Sequence, residues 1–120
     1  MAAKDTLGRR GEALAAAYLE GAGYEVIDRN WRCPQGEIDI VAQRGGVLAF
    51  VEVKTRSSVA FGPPLQAVTP VKLARLRRLA GAWLDEHPGS RFSRTVRIDV
   101  IGVVAPRGGP VEIEHLEQVF

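Results

Sequence analysis

The chain has 120 residues, of which 46% are hydrophobic and 25% charged, and its formal net charge is +2. This length suits a single domain, residues 1–120, and the composition excludes a disordered chain. No apolar run approaches the ~18 residues that span a bilayer, no secretory signal opens the chain, and the lone Cys33 cannot form an internal disulfide. We therefore expect a cytoplasmic protein with no membrane partner.

The first predicted element is a helix over residues 5–21. Leu7 and Leu14 recur at helical spacing among alanines, and Gly21 ends the apolar pattern. A strand over residues 24–31 follows.

Two further predicted strands, 37–43 and 47–54, flank Arg44-Gly45-Gly46, which is typical of a β-hairpin turn. Pairing about this turn makes the numbers of facing residues sum to about 91, so that Ile40 faces Val51. One side of the ribbon is then wholly apolar and should bury against a helix: Ile38, Ile40, Ala42, Ala49, Val51 and Val53.

A second helix is predicted after a loop over residues 55–69. Thr69 is a suitable N-cap, Pro70 suits the first helical position, and the helix should end near His87-Pro88-Gly89. Its buried face is predicted to consist of Leu73, Leu76, Leu79, Ala80, Trp83 and Leu84.

A β-prone strand over residues 96–104 follows, then a turn at 107–110 and a further short strand at 111–115. The order α-β-β-β-α-β, with this extra short strand, predicts an α/β fold in which helices cover a mixed sheet. Asp99 is expected to order the structure by pairing with an arginine.

The other side of the hairpin carries charge. The same register pairs Asp39 with Glu52 and Glu37 with Lys54, and side chains two residues apart on a strand share a face. Two facing carboxylates repel unless a cation or a proton separates them. Mg²⁺ prefers oxygen ligands and completes its coordination with water and phosphate, and a nearby lysine can stabilise charge on a phosphate. The alternative is a solvated charged face, with Glu37 and Lys54 as an ordinary exposed ion pair.

These residues also form a recognisable pattern. Asp39 followed by Glu52-Val53-Lys54 resembles the PD-(D/E)xK signature of restriction-endonuclease-like nucleases, with Ile38 where a proline usually stands. The surrounding sequence resembles the YraN family, which is related to archaeal Holliday-junction resolvases, at Gly11-Glu12, Asn30-Trp31-Arg32, Gly36-Glu37-Ile38-Asp39, Phe50 to Arg56, Lys72 and Arg97-Ile98-Asp99-Val100.

The resemblance implies a restriction-endonuclease-like fold and a nuclease that uses Mg²⁺ or Mn²⁺ to cleave DNA, with branched DNA among its substrates. It implies Asp39 and Glu52 as metal ligands, Lys54 as the catalytic lysine, and Glu12 as a helix-borne glutamate at the same metal. From the residues alone, Glu12 could equally be an exposed side chain, although the helix glycines Gly8 and Gly11 favour close approach by another group.

Basic residues near these positions are predicted to bind nucleic acid: Arg9, Arg10, Arg56, Lys72 and Arg75. The alternatives are a non-catalytic nucleic-acid-binding module of the same fold and a protein-interaction scaffold. Cys33, His87 and His115 lack metal-ligand spacing and are expected to be surface or core residues. The sequence does not distinguish a monomer from a homodimer, or DNA from RNA.

Overall fold

The computed structural model describes residues 3–60, 62–90 and 94–117, with side chains from Thr6 onward. The elements are α1 (Ala3–Gly21), β1 (Glu25–Cys33), β2 (Gly36–Arg44), β3 (Val47–Arg56), α2 (Pro70–Glu86), β4 (Thr95–Val104) and β5 (Glu112–Leu116). A short 3₁₀ helix, Pro64–Ala67, lies in the loop before α2. The predicted order is confirmed, including the short strand near the C-terminus. Within the described ranges no helix is both long and apolar enough to cross a membrane.

The five strands form one mixed sheet in the order β1-β2-β3-β4-β5. β3 and β4 are parallel, whereas the other neighbouring pairs are antiparallel. A parallel pair needs a long crossover connection, and α2 lies within it. The predicted mixed sheet is therefore confirmed.

The central hairpin turns at Gly45 and Gly46, and Gly45 has a φ of 56°. A two-residue turn whose twist matches the strands requires positive φ, which glycine adopts without a steric penalty. Arg44 pairs with Val47, and the ladder continues to Ile40 opposite Val51. The predicted register is confirmed over this stretch.

α2 begins as predicted. The Lys72 N–H donates to the Thr69 hydroxyl at 3.2 Å, and Pro70 occupies the first turn, where its missing N–H costs no helical hydrogen bond. The buried residues of α2 are Leu76, Leu79, Ala80, Trp83 and Leu84, whereas Leu73 is only half-buried.

Two apolar cores lie on opposite faces of the sheet. Ile40 packs in the core under α1, and its neighbour Val41 packs in the core under α2, as side-chain alternation along a strand requires. The α1 core contains Ala15, Ala16, Leu19, Ala42, Ala49, Val51 and Val53, and the α2 core contains Leu48, Phe50, Leu76, Leu79, Trp83 and Ile98.

The prediction that Ile38 shares a face with Ile40 is wrong, because Ile38 packs in the α2 core. The pairing of β1 with β2 passes from Arg29 opposite Ile40 to Trp31 opposite Ile38, with no pair between Asn30 and Asp39. Asn30 has a φ of 53°. This interruption lies where the alternation of faces along β2 breaks down.

A buried polar network ties β4 to its surroundings. The Arg97 guanidinium donates to both Asp99 carboxylate oxygens at 2.8 Å, which raises the pKa of Arg97. His115 Nε2 lies 2.7 Å from the same carboxylate, and its Nδ1 lies 3.2 Å from the Tyr18 hydroxyl. The expected pairing of Asp99 with an arginine is confirmed, and the partly buried His115 joins β5 to this network.

Candidate metal centre

Four carboxylates converge where β2 and β3 separate. Glu12 comes from α1, Glu37 and Asp39 from β2, and Glu52 from β3. We call these four residues the acid cluster. The charges of Glu37 and Glu52 raise the pKa of both Asp39 and Glu12, and the charge of Glu12 also raises that of Asp39.

The acid cluster begins where the β2–β3 ladder ends. The last backbone pair on this side is Ile40 opposite Val51. Beyond it the Val53 N–H donates to Asp39 Oδ2 at 2.8 Å, so a side chain takes the place of a backbone acceptor. The predicted direct pairings of Asp39 with Glu52 and of Glu37 with Lys54 are therefore wrong as backbone partners, although Asp39 and Glu52 line one cleft.

A glycine lets α1 bring its glutamate into the cluster. A Cβ at Gly11 would collide with the side chain of Thr55 on β3, so only glycine permits this separation of helix and strand. Glu12 follows directly in sequence. The close approach expected at Gly11 is confirmed, but Gly8 has open space around it, and nothing in the structure explains that glycine.

Each member of the acid cluster has a protein partner. Glu12 Oε1 accepts from Asn30 Nδ2 at 3.0 Å, and Arg32 Nε lies 2.6 Å from Glu37 Oε2. Lys54 Nζ lies 3.0 Å from Glu52 Oε2, so these two residues share a face as predicted. The alternative of an ion pair between Glu37 and Lys54 is wrong, because each of them pairs with another residue.

Three of the four acids lie close enough to hold one cation. One carboxylate oxygen from each of Glu12, Glu37 and Asp39 lies within 4.8 Å of the others. Oxygens that coordinate one Mg²⁺ at about 2.1 Å are at most about 4.2 Å apart, so small side-chain shifts would complete such a set. The structure thus brings Glu12 and Asp39 together, but groups them with Glu37 rather than with Glu52.

Glu37 is the acid of this group that was not predicted to bind the metal, although it was predicted to lie on the same side of the hairpin as Asp39. Its position two residues before Asp39 on the same strand already favoured a shared face. The hairpin register instead suggested Lys54 as its partner, and that register does not extend so far.

The electrostatics of the cluster fit a divalent cation. Burial, opposed by the Val53 hydrogen bond and assisted by the charges of Glu52, Glu12 and Glu37, raises the pKa of Asp39 from 3.8 to about 7. Burial and the Glu37 charge also raise the pKa of Glu12. Crowded carboxylates of this kind are relieved by a proton or by a cation, and an all-oxygen donor set suits Mg²⁺ or Mn²⁺.

A cleft of about 240 Å³ lies between α2 and three of the acids, whereas Glu12 does not line it. Its walls are formed by Gly36, Glu37, Asp39, Glu52, Lys72, Arg75, Leu76 and Leu79. Lys72 Nζ also donates to the Ala67 carbonyl at 2.9 Å, which holds the lysine against the preceding loop. One wall is therefore acidic, and the facing helix offers two cations.

The five basic residues predicted to bind nucleic acid divide into two groups. Lys72 and Arg75 line the cleft, whereas Arg9, Arg10 and Arg56 do not. Arg10 Nη1 donates to the Ala105 carbonyl at 3.3 Å, and the Ala105 N–H donates to the Arg56 carbonyl at 2.8 Å, so these two arginines lie near the same end of β3 and β4.

Two basic residues of β1 that were not predicted as site residues lie near the acid cluster. Arg29 and Arg32 both lower the pKa of Glu12, against the effects of burial and the acidic neighbours. In the sequence, Arg29 and Arg32 are two of many basic residues that are scattered along the chain. Only the pairing of β1 with β2, in which Arg32 is opposite Glu37, places them beside the acid cluster.

A family model and individual relatives place this chain in the same protein family. A model described as uncharacterised protein family UPF0102 matches residues 11–103, a range that contains the acid cluster, Lys54 and the whole cleft. A UPF0102 protein of Beutenbergia cavernae is 57% identical over 119 residues, covering 99% of both chains. Similar proteins occur in Streptomyces griseus, 56% identical over 99% of both chains, and in Kineococcus radiotolerans, 54% identical over 98% of this chain and 95% of the relative.

Proposed function

This chain belongs to the YraN-like protein family UPF0102, and from that membership and the acid-lined cleft we propose that it is a Mg²⁺- or Mn²⁺-dependent nuclease that hydrolyses phosphodiester bonds in DNA. The observation that carries the proposal is the convergence of the Glu12, Glu37 and Asp39 oxygens within 4.8 Å, beside a cleft with cations on its far wall. Branched DNA is the substrate class suggested by the resemblance to junction resolvases.

Glu12, Glu37 and Asp39 would hold the cation, and Glu52 remains a predicted ligand at the same cleft. When bound, the cation would supply Lewis acidity toward the phosphodiester and favour ionisation of the attacking water. The protein contributes the raised pKa of Asp39 and Glu12, since carboxylates that repel one another bind a dication at the expense of protons.

Lys54 would contact the phosphate group at which hydrolysis occurs. Its ammonium group lies 3.0 Å from Glu52 and shares the face of the acid cluster. An ammonium group there would donate to a non-bridging phosphate oxygen and stabilise the charge that develops as water attacks phosphorus and the P–O bond breaks. Its role is electrostatic, so glutamine or methionine at this position should not replace it.

Lys72 and Arg75 are assigned to binding the DNA strand. A phosphate that approaches three or four carboxylates is repelled unless positive charge compensates, and these two residues provide it from the opposite wall. Arg9, Arg10 and Arg56 lie outside the cleft and would contact phosphates farther along the DNA. Binding should therefore persist when a metal-holding carboxylate is removed.

A second candidate is a non-catalytic nucleic-acid-binding module of the same fold. The observation that favours it is that each acid of the cluster already has a protein partner. Asn30, Arg32, Lys54 and the Val53 N–H each form a hydrogen bond or an ion pair with one of the four acids. In that case the basic residues act without hydrolysis.

The test is a cleavage assay with linear duplex, single-stranded, flap and four-way-junction DNA, and with RNA, in Mg²⁺, Mn²⁺ or EDTA. We expect cleavage of DNA that requires the cation and is lost in Asp39→Asn, Glu52→Ala and Lys54→Met. Glu20→Gln, which removes an exposed carboxylate elsewhere on α1, is the matched control and should cleave normally. Binding of DNA without cleavage of any substrate in either cation would instead establish the non-catalytic module.

A further inference from the structure

The residue of interest is Arg32, at the end of β1. It is the backbone partner of Glu37 across the β1–β2 ladder, and its Nε lies 2.6 Å from Glu37 Oε2. The Arg32 side chain is 80% exposed, whereas that of Glu37 is 31% exposed. The arginine therefore neutralises a half-buried acid from the solvent side.

The same acid belongs to the group that would hold the cation. Glu37 shares its oxygen cluster with Glu12 and Asp39, so a dication bound there competes with the Arg32 guanidinium for the Glu37 carboxylate. Ion pairs with so exposed a partner contribute little to stability, because water screens the charges and the long side chain loses freedom. A dication would displace the guanidinium at small cost.

We propose that Arg32 is an exchangeable counterion: it pairs with Glu37 while the centre holds no metal, and it contacts a DNA phosphate once a divalent cation has taken Glu37. Metal loading and DNA binding are thereby coupled, each strengthening the other by the same factor. This inference depends on the metal centre of the proposed function, but not on hydrolysis.

Two other cations pair with an acid of the cluster or lower its pKa, and neither has this combination of properties. Lys54 pairs with Glu52, which lies outside the three-oxygen group, and its side chain is only 26% exposed. Arg29 lowers the pKa of Glu12 by its charge, but its backbone partner is Ile40, in the apolar core. Arg32 alone among these three joins an acid of the metal group and projects into solvent.

The experiment compares wild type, Arg32→Gln and Arg29→Gln in two measurements. Calorimetric titration with Mn²⁺ gives the metal affinity. Fluorescence anisotropy with a labelled DNA duplex, at several salt concentrations and with EDTA or saturating Mn²⁺, gives the DNA affinity and its salt dependence. Electrophoresis after each titration checks that the DNA is intact, and if wild type cleaves the duplex, all variants are compared in a Lys54→Met background, which keeps the acid cluster and Arg32. Arg29→Gln is the matched control, because it removes an equal charge near the same cluster without removing the Glu37 ion pair.

We expect Arg32→Gln to bind Mn²⁺ about two- to fivefold more tightly, since the competitor is gone. In EDTA its slope of log affinity against log salt should equal that of wild type, because Arg32 then makes no phosphate contact. With Mn²⁺ its slope of log affinity against log salt should be shallower by about 0.9, the loss of one phosphate contact. Arg32→Lys, which keeps the charge, should retain most of the metal dependence, and Arg29→Gln should change the slope equally in both conditions or not at all.

Three results would overturn the inference: unchanged or weaker Mn²⁺ binding by Arg32→Gln, an equal loss of DNA affinity with and without Mn²⁺, or a metal dependence that Arg29→Gln abolishes as well. If wild type binds no Mn²⁺, the metal centre of the proposed function fails, and the exchange fails with it. If wild type binds Mn²⁺ but Arg32→Gln behaves as wild type, only the exchange fails.

Discussion

Replacement of Asp39 by asparagine should stabilise the metal-free protein at alkaline pH. The pKa of Asp39 is raised from 3.8 to about 7, so the folded state binds this proton more tightly than the unfolded chain does. Stability therefore falls as pH rises from about 4 to about 7, and remains low above that range. Asparagine resembles the protonated acid, and its amide oxygen can still accept a hydrogen bond from the Val53 N–H. The variant therefore does not lose stability as the pH rises through this range.

The size of the effect follows from the shift. The rise in the pKa of Asp39 from 3.8 to about 7 corresponds to at most about 4 kcal/mol of unfolding free energy. Relaxation of the neighbouring acids should reduce this contribution to about 2–4 kcal/mol. At pH 8 in EDTA we expect Asp39→Asn to be more stable than wild type by that amount. At pH 4 the difference should nearly vanish, because Asp39 is then protonated in the folded state and about half protonated in the unfolded chain.

A divalent cation should reduce the difference in stability between Asp39→Asn and wild type at pH 8. Mn²⁺ at a hundred times its Kd would stabilise wild type by about 2.7 kcal/mol, whereas the variant, which has lost one carboxylate, should gain little. The assay is urea unfolding at pH 4, 6 and 8, with EDTA and with Mn²⁺ at pH 8. Asp85→Asn, at an exposed position on α2, should change stability by no more than about 0.5 kcal/mol at any pH. A variant less stable than wild type at pH 8 in EDTA would refute the reasoning, because Asp39 would then contribute more as a charged acceptor than it costs in repulsion.

Two further predictions concern the scaffold. Gly11→Ala should destabilise the protein by about 1–3 kcal/mol in urea unfolding and weaken Mn²⁺ binding, because its Cβ would collide with the Thr55 side chain and push α1 outward. Gly8→Ala, in open space on the same helix, should instead be stabilising by up to about 1 kcal/mol, and equal effects at both glycines would contradict the steric argument. Arg97→Ala should cost about 3–5 kcal/mol, because it removes the bidentate partner of the fully buried Asp99. A loss below about 1 kcal/mol, measured by thermal and urea unfolding, would show that the remaining contacts suffice for that carboxylate.

Local sequence patterns determined most of the fold. The glycine pair specified the hairpin, and the alternation of apolar residues specified its register near the turn. Thr69 and Pro70 specified the start of α2. Each of these features depends on contacts within a few residues or across one tight turn, so a single sequence contains the information. The hairpin pattern singled out Asp39, and the resemblance to the YraN family singled out Glu12. The structure places these two residues together although 27 positions separate them.

Tertiary structure alone decided which members of the acid cluster form the three-oxygen group. The hairpin register predicted Glu52 opposite Asp39, but the ladder stops at Ile40 and Val51, and beyond it the Asp39 side chain accepts the Val53 N–H. Beyond that point the alternation of side chains along the two strands no longer determines which of them come together. Glu37 therefore enters the three-oxygen group in place of Glu52.

The arrangement of positive charge likewise required the fold. Lys72 and Arg75 face the acids because α2 crosses beneath the sheet, and Arg32 reaches Glu37 because β1 pairs with β2. Arg9, Arg10 and Arg56 resemble these residues in the sequence but lie outside the cleft. The spacing of charged residues along one strand shows which of them share a face, but it does not show which elements come together. Proximity between charges on different elements therefore depends on how the sheet and its two helices pack.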